Sequence, residues 1–429
     1  MAISNARIDE LCHVTEMLCF CREAGTPGFQ RAAELVRSYL SKRGLPHIQR
    51  DVFSWPHWSV TRRKLEAQAD AGVVSLPLVP IASAGPTRPG GATGRAVVVS
   101  GKPEADRLDQ TNKVPVHKDI PPVSRYQTLA GQNAAAQLCA VSDAYFRELP
   151  YCQLGEKYFE GGSRCPMALI RRSDLVRLKD RWVTLSIAAV RDGAAHENLY
   201  VDIGPPGVDV STLVVAHLDS APFSPGAQDN ATGCAISMLL AAESVGCAVS
   251  KRIRFLWTTG EELDFFGAQI HLDRHQAELA KDAFVIDVDP MCSKGAAKTR
   301  MLVVGDHRFL RWVQGVNAKL SVPCDVDMAV GDLDGSDSGE APLNCDLTPF
   351  AIQGIPGFCL HRGARGTSAH TPDDTFERVS PEGLDELYAQ CLELLFRSTC
   401  DVRGSASPWS VPESSVKALM RYMKNHPGL

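Results

Sequence analysis

The chain has 429 residues, 44% of them apolar and 22% charged, with a formal net charge of −5. That length exceeds one ordinary core and predicts two domains with extensions, while the mixed charge without a long run of one sign argues against nucleic acid or a membrane surface as partner. The first residues lack a basic stretch followed by an apolar core, and no apolar run is long enough for a membrane span, so neither a signal peptide nor a transmembrane segment is expected and the reading is cytoplasmic.

In chain order, helical spacing of apolar positions covers residues 6–22 and 27–43, the second opening on Thr26-Pro27-Gly28 and closing at Gly44. A strand follows at 48–54. From about 61 to 190 the texture changes. Short strand-like runs (64–69, 95–100, 182–190) alternate with Pro/Gly-rich joints, and an alanine-rich stretch over 127–140 reads as a helix. This predicts a small mixed α+β domain inserted into a larger one that comprises residues 1–60 and 191–402. Strand–helix alternation resumes near 198. Strands are expected at 212–216, 252–258, 283–288, 301–304, 324–330 and 357–361, with helices at 232–246, 264–279, 307–319, 339–353 and 380–397. Such alternation implies an α/β fold with a mostly parallel, twisted sheet between helices. Residues 403–429 read as a linker (403–411) and an amphipathic helix with Val416, Leu419, Met420 and Met423 on one side. Fourteen cysteines are scattered without C-x-x-C spacing, and reduced, buried thiols are expected.

Four strand ends carry the chemistry. The first reads Val214-Val-Ala-His217-Leu-Asp219-Ser, followed by a turn that brings Asp229 to the mouth of the next helix. The second is Thr258-Thr-Gly-Glu261-Glu262. The third is Ile286-Asp287-Val-Asp289, and the fourth precedes Ser368-Ala-His370-Thr-Pro-Asp-Asp-Thr375. Ligands of open α/β sheets bind outside the carboxyl ends of strands. Two metal ions about 3.5–4 Å apart need a bridging carboxylate and can hold a hydroxide between them. Each ion then needs one nitrogen and one further carboxylate to approach tetrahedral coordination. His217, Asp229, Glu262, Asp289 and His370 meet that count. Of two adjacent glutamates, one can ligate while its neighbour serves as general base. Mixed imidazole and carboxylate donors suit two zinc ions per chain, with cobalt or manganese as alternatives. Asp219 stands where it could orient the His217 imidazole.

These blocks, with Gly226-Ala-Gln-Asp-Asn-Ala-Thr-Gly233 and His370-Thr-Pro-Asp-Asp-Thr375, resemble the M28 family of dizinc exopeptidases, over roughly residues 200–395. The resemblance implies the three-layer zinc-exopeptidase (phosphorylase/hydrolase-like) fold. It implies His217 and Glu262 or Asp289 as terminal ligands, Asp229 as bridge, Glu261 as base, His370 as last ligand, and a cis Asp229–Asn230 peptide. The 61–190 insertion is similar to a protease-associated, lid-like domain. Two departures stand out. Ala369 occupies the place beside the last histidine where carboxypeptidase-like members carry an oxyanion-donating tyrosine. The third strand offers both Asp287 and Asp289, and Asp289, nearer the carboxyl end, is preferred.

His271 and His275 are four apart but lack the zincin glutamate, and read as a solvated helix face. His361, Arg362 and Asp337 are candidate substrate contacts, Arg362 and Arg365 as carboxylate anchors. Asp373 and Asp374 read as turn caps or as supports for His370. The expected function is zinc-dependent hydrolysis of amide bonds in small peptides or acylated amino acids, as an aminopeptidase. The alternatives are a one-zinc, glutaminyl cyclase-like acyltransferase, a carboxypeptidase or small-molecule amidohydrolase, and a non-catalytic binding protein.

Overall fold

The computed structural model describes residues 5–99, 109–144, 146–159, 164–247, 250–329, 343–363, 368–400 and 409–425. The chain divides into two compact units, residues 1–54 with 195–421, and residues 55–194 with 422–429.

In the first unit the sheet is built around four adjacent parallel strands. Their order is Gly357–His361, Leu279–Val288, Val210–His217 and Arg252–Thr258. Arg300–Val304 pairs antiparallel with the first of these and parallel with Asp325–Met328. On the far side, residues 199–203 of the long strand Trp182–Ile203 pair antiparallel with Arg252–Thr258. Val210–His217 is buried at every position, which explains why it reads as a continuous apolar run rather than an alternating one. Helix Thr232–Glu243 is apolar on nearly all sides and buried from Thr232 to Ala241. Trp257 packs beside it and donates to Ser237 Oγ at 2.9 Å. Helix Pro27–Lys42 begins on Thr26, whose hydroxyl accepts the Phe29 N–H, and buries Phe29, Ala32, Ala33, Val36 and Leu40.

The tail helix is Glu413–Asn425. The expected linker falls partly outside the described residues. Its end, Trp409, packs on Trp312 at 4.7 Å and on Phe309 at 4.9 Å between ring centroids. Leu419 is buried, whereas Met420 is 54% exposed, so the apolar stripe is narrower than its spacing predicts.

In the second unit, residues 182–185 pair antiparallel with Ala92–Val98. Lys113–His117, Gln137–Val141 and Met167–Arg171 then follow in parallel. The core includes Leu65, Val114, Leu138, Ile170 and Leu185. The expected 127–140 helix is half right. Val123–Gly131 is helical, but the chain turns at Asn133, which is left-handed at φ 67°, and Gln137–Val141 is a strand. Alanine favours helix, but burial between two paired strands overrides that preference, so composition alone misleads there.

Candidate metal centre

The four parallel strands bring their carboxyl ends to one edge, and the loops leaving them carry the predicted donors. His217 closes its strand. Its Nε2 lies 3.1 Å from Asp229 Oδ1 and 3.7 Å from Asp289 Oδ1. His370 Nε2 lies 3.1 Å from Asp229 Oδ2 and 3.1 Å from Glu262 Oε2. The two imidazoles thus address different oxygens of one carboxylate. Two convergent donor groups result, His217–Asp229–Asp289 and Asp229–Glu262–His370, each with its donor atoms within 4.8 Å of one another. The Asp229–Asn230 peptide is cis.

Several observations fit metal ions here. Glu262 Oε1 and Asp289 Oδ1 are buried without a hydrogen-bond partner. Buried polar atoms normally find one, so a cluster of orphaned donors marks a place for a cation. Asp219, Asp229, Glu261, Asp287 and Asp346 are all buried, and that much carboxylate needs positive charge to offset its desolvation. The titration pattern agrees. Burial, then the neighbouring Asp229 carboxylate, outweigh the nearby imidazoles and push Glu262 up to about 8. Burial also pushes Glu261 well above its ordinary range, with Glu262, Asp289 and Asp346 adding to it. Burial opposes ionisation of Asp229, but hydrogen bonds from His217 and His370 hold its carboxyl below the usual range. Glu262, followed by Asp229, raises His370 to about 10 against burial.

The supporting shell differs in places from the sequence reading. Asp219 does lie beside the His217 ring, but Nδ1 is nearer its main-chain oxygen (3.2 Å) than its carboxylate (3.7 Å). That carboxylate instead accepts the Glu261 N–H at 3.4 Å. Asp287 turns away from the donors and accepts the Leu347 N–H at 2.8 Å, near Cys345 and Cys359. The strand stops at Val288, so side-chain alternation no longer holds the two aspartates to one face. Asp374 does not support His370. Its carboxylate accepts the N–H groups of Gln228 (2.9 Å) and Asp229 (3.2 Å), fixing the turn that presents Asp229. Asn230 completes that turn, donating to Val288 O and accepting the Gly233 N–H, both at 2.9 Å. Gly226 is left-handed at φ 61°, and a Cβ there would meet Asp229 O at 2.5 Å.

Of the substrate candidates, His361 sits at the same sheet edge, one position beyond the Val288–Leu360 pair and so level with Asp289. Arg362 is not a free anchor. It is 8% exposed, pairs with Glu386 at 2.6 Å and donates to Thr299. Asp337 and Arg365 lie outside the described residues. His271 and His275 are not a solvated face. His271 is buried, and Asp51 accepts from both rings, at 2.6 Å from His271 Nδ1 and 2.8 Å from His275 Nε2. This trio also converges like a metal site, but its donor atoms already have partners, unlike Glu262 Oε1 and Asp289 Oδ1 at the strand ends. Sequence reasoning missed Asp51 because its partners are more than two hundred residues away, and it missed Arg22, a buried guanidinium that donates to the carbonyls of Leu218, Pro225 and Gly226 in the loop between His217 and Asp229. Among the described residues the cysteines are free thiols, and no helix is long and apolar enough to cross a membrane.

A mostly parallel sheet whose strand ends gather imidazole and carboxylate donors is an arrangement suited to holding metal ions. The sequence model of peptidase family M28 matches residues 198–395, somewhat less than half of the chain. Aminopeptidase YwaD of Bacillus subtilis is 27% identical over 40% of this chain and 38% of its own length. Mouse carboxypeptidase Q is 23% identical over 62% of this chain and 61% of its own. The chain thus matches less than two thirds of the length of these curated relatives. The solved structure of BSAP, a zinc aminopeptidase from Bacillus subtilis, shares the fold with a TM-score of 0.73 at 19% identity, covering 94% of this chain and 98% of that one.

Proposed function

We propose that the chain is a two-zinc exopeptidase that hydrolyses the amide bond of small peptides or acylated amino acids, acting as an aminopeptidase. The observation that carries this reading is the sharing of Asp229 between two donor groups, one oxygen toward each histidine. Zinc, when bound, lowers the pKa of a coordinated water towards neutrality and polarises a carbonyl. His217, Asp289 and one oxygen of Asp229 would hold one ion, and Glu262, His370 and the other oxygen the second. Glu261 is buried beside this set and takes the role of general base. It accepts the proton of the attacking water and delivers it to the leaving nitrogen as the C–N bond breaks, releasing an amine and a carboxylate. Asp219 positions both partners, through its carbonyl at His217 and its carboxylate at the Glu261 N–H.

The paired donor groups favour this over a one-zinc acyltransferase. The engagement of Arg362 with Glu386 removes one anchor a carboxypeptidase would use, and favours the amino end of the substrate. We further read residues 61–190 as a protease-associated-like insertion, and the chain as cytoplasmic. Glu261→Gln tests the mechanism. The variant should keep its zinc and lose about 10²–10⁴-fold in kcat on dipeptide substrates, whereas full activity would refute the role of Glu261.

A further inference from the structure

Gln228 stands one residue before Asp229 and is 2% exposed. Its side-chain amide reaches two other loops. Nε2 donates to Ser293 Oγ at 2.5 Å, and Oε1 accepts from Ser368 Oγ at 3.0 Å. Ser293 lies in the loop that follows Asp289, and Ser368 lies two residues before His370. Its main-chain N–H is held by Asp374, beyond His370 on the same loop. One side chain therefore ties together the loops that present Asp229, Asp289 and His370, while none of its own atoms belongs to either donor group.

An amide suits this place. Its donor and acceptor are distinct and coplanar, so each hydroxyl is assigned one direction and the two loops are held at a fixed separation. Ser293 is itself buried and anchored, its N–H donating to Arg362 O at 3.1 Å. We propose that Gln228 is a positioning residue that sets the geometry of both ion positions at once, coupling the Asp289 loop to the His370 loop across Asp229. This rests on the two-ion reading above. Groups that orient metal ligands from behind typically change metal affinity by about 10–100-fold when removed.

The test is zinc affinity measured by chelator competition, with the absorption spectrum of the cobalt-substituted protein as a second readout, neither of which depends on turnover. Gln228→Met should weaken both ions about 10-fold or more and alter the cobalt spectrum. Ser293→Ala should weaken chiefly the ion held by Asp289, and Ser368→Ala chiefly the one held by His370. Combining all three changes should cost no more than Gln228→Met alone, because the serines act through the same amide. Wild-type affinity and spectrum in Gln228→Met would overturn the inference, even if its melting temperature fell, since that would mark a purely structural role. Should Gln228→Met fail to fold, the serine variants decide: unchanged affinity in both overturns the inference. A wild-type protein that binds fewer than two ions would instead overturn the two-ion reading itself.

Discussion

Arg22 carries a full positive charge into the interior at 0% exposure, and its guanidinium is satisfied by main-chain oxygens. It donates to the carbonyls of Leu18, Phe20, Leu218, Pro225 and Gly226, and its own N–H donates to Ser220 Oγ. The segment joining helix Asn5–Met17, shorter than the expected 6–22, to helix Pro27–Lys42 is thereby fastened to the loop that runs from His217 to Asp229. An ammonium has only three donors and lacks the planar fork, so Arg22→Lys should restore only part of what Arg22→Met loses. Arg22→Met should cost about 3 kcal/mol or more, because several buried carbonyls lose their donor together. Urea unfolding measures this, and an unchanged midpoint would contradict the assignment. Nothing local in Cys21-Arg22-Glu23 separates such a residue from a solvated arginine, because its role exists only once residues some two hundred positions away are in place. The glutamate pair is a related case. The dipeptide alone does not rank its two members, and the 3.1 Å approach of Glu262 to His370 is the contact that sets Glu262 apart in the proposed reading.

Single elements are fastened by the same kind of distant pairing. Asp51, in the strand Gln49–Ala69, accepts from His271 and His275 of the helix Phe266–His275. Glu278 accepts from His275 Nδ1, Arg254 approaches His271 Nε2 at 3.4 Å, Arg274 lies 4.0 Å from Asp51, and Tyr200 packs edge-on to both rings. Burial opposes the Asp51 charge, but hydrogen bonds from both histidines outweigh it and hold its carboxyl at about 2. Its pKa is thus depressed on folding, so the stability it contributes is complete above the unfolded value of about 3.9 and is lost as pH falls towards 2. Burial also pushes His271 below its ordinary value, so stability begins to decline earlier, as pH drops through about 6.5 and the unfolded ring binds a proton that the folded one refuses. Asp51→Asn should cost about 2 kcal/mol at neutral pH and flatten the steep loss below pH 4. Denaturant titrations at a series of pH values measure this, and an unaltered acid slope would contradict it. The element reading shows the same boundary between local and distant information. Strand Arg252–Thr258 and helix Pro27–Lys42 were legible to within a residue because period and caps are local signals. The stretch 127–140 was not, because its second half is a strand only by pairing with Lys113–His117 and Met167–Arg171.

At the scale of the whole molecule, the alternation of strands and helices was enough to place four strand ends on one edge, and their sequences carried every residue of the two donor groups. What stayed hidden was the layer behind them. Asp374 under the Asp229 turn, Gln228 between the loops, and Asp287 facing Leu347 all depend on how loops far apart in sequence meet. The helix Thr232–Glu243 illustrates how closely these parts fit. A Cβ at Gly233 would meet Val288 O at 2.0 Å, so the helix start can lie against the strand end that precedes Asp289 only with glycine there. The central claim is that this edge holds two zinc ions through one shared aspartate. The most direct measurement is the zinc content per chain after dialysis, for the wild-type protein and for Asp229→Ala. About two equivalents in the wild type, falling to one or fewer in the variant, is the predicted result. A single equivalent in the wild type, or two retained without Asp229, would contradict it.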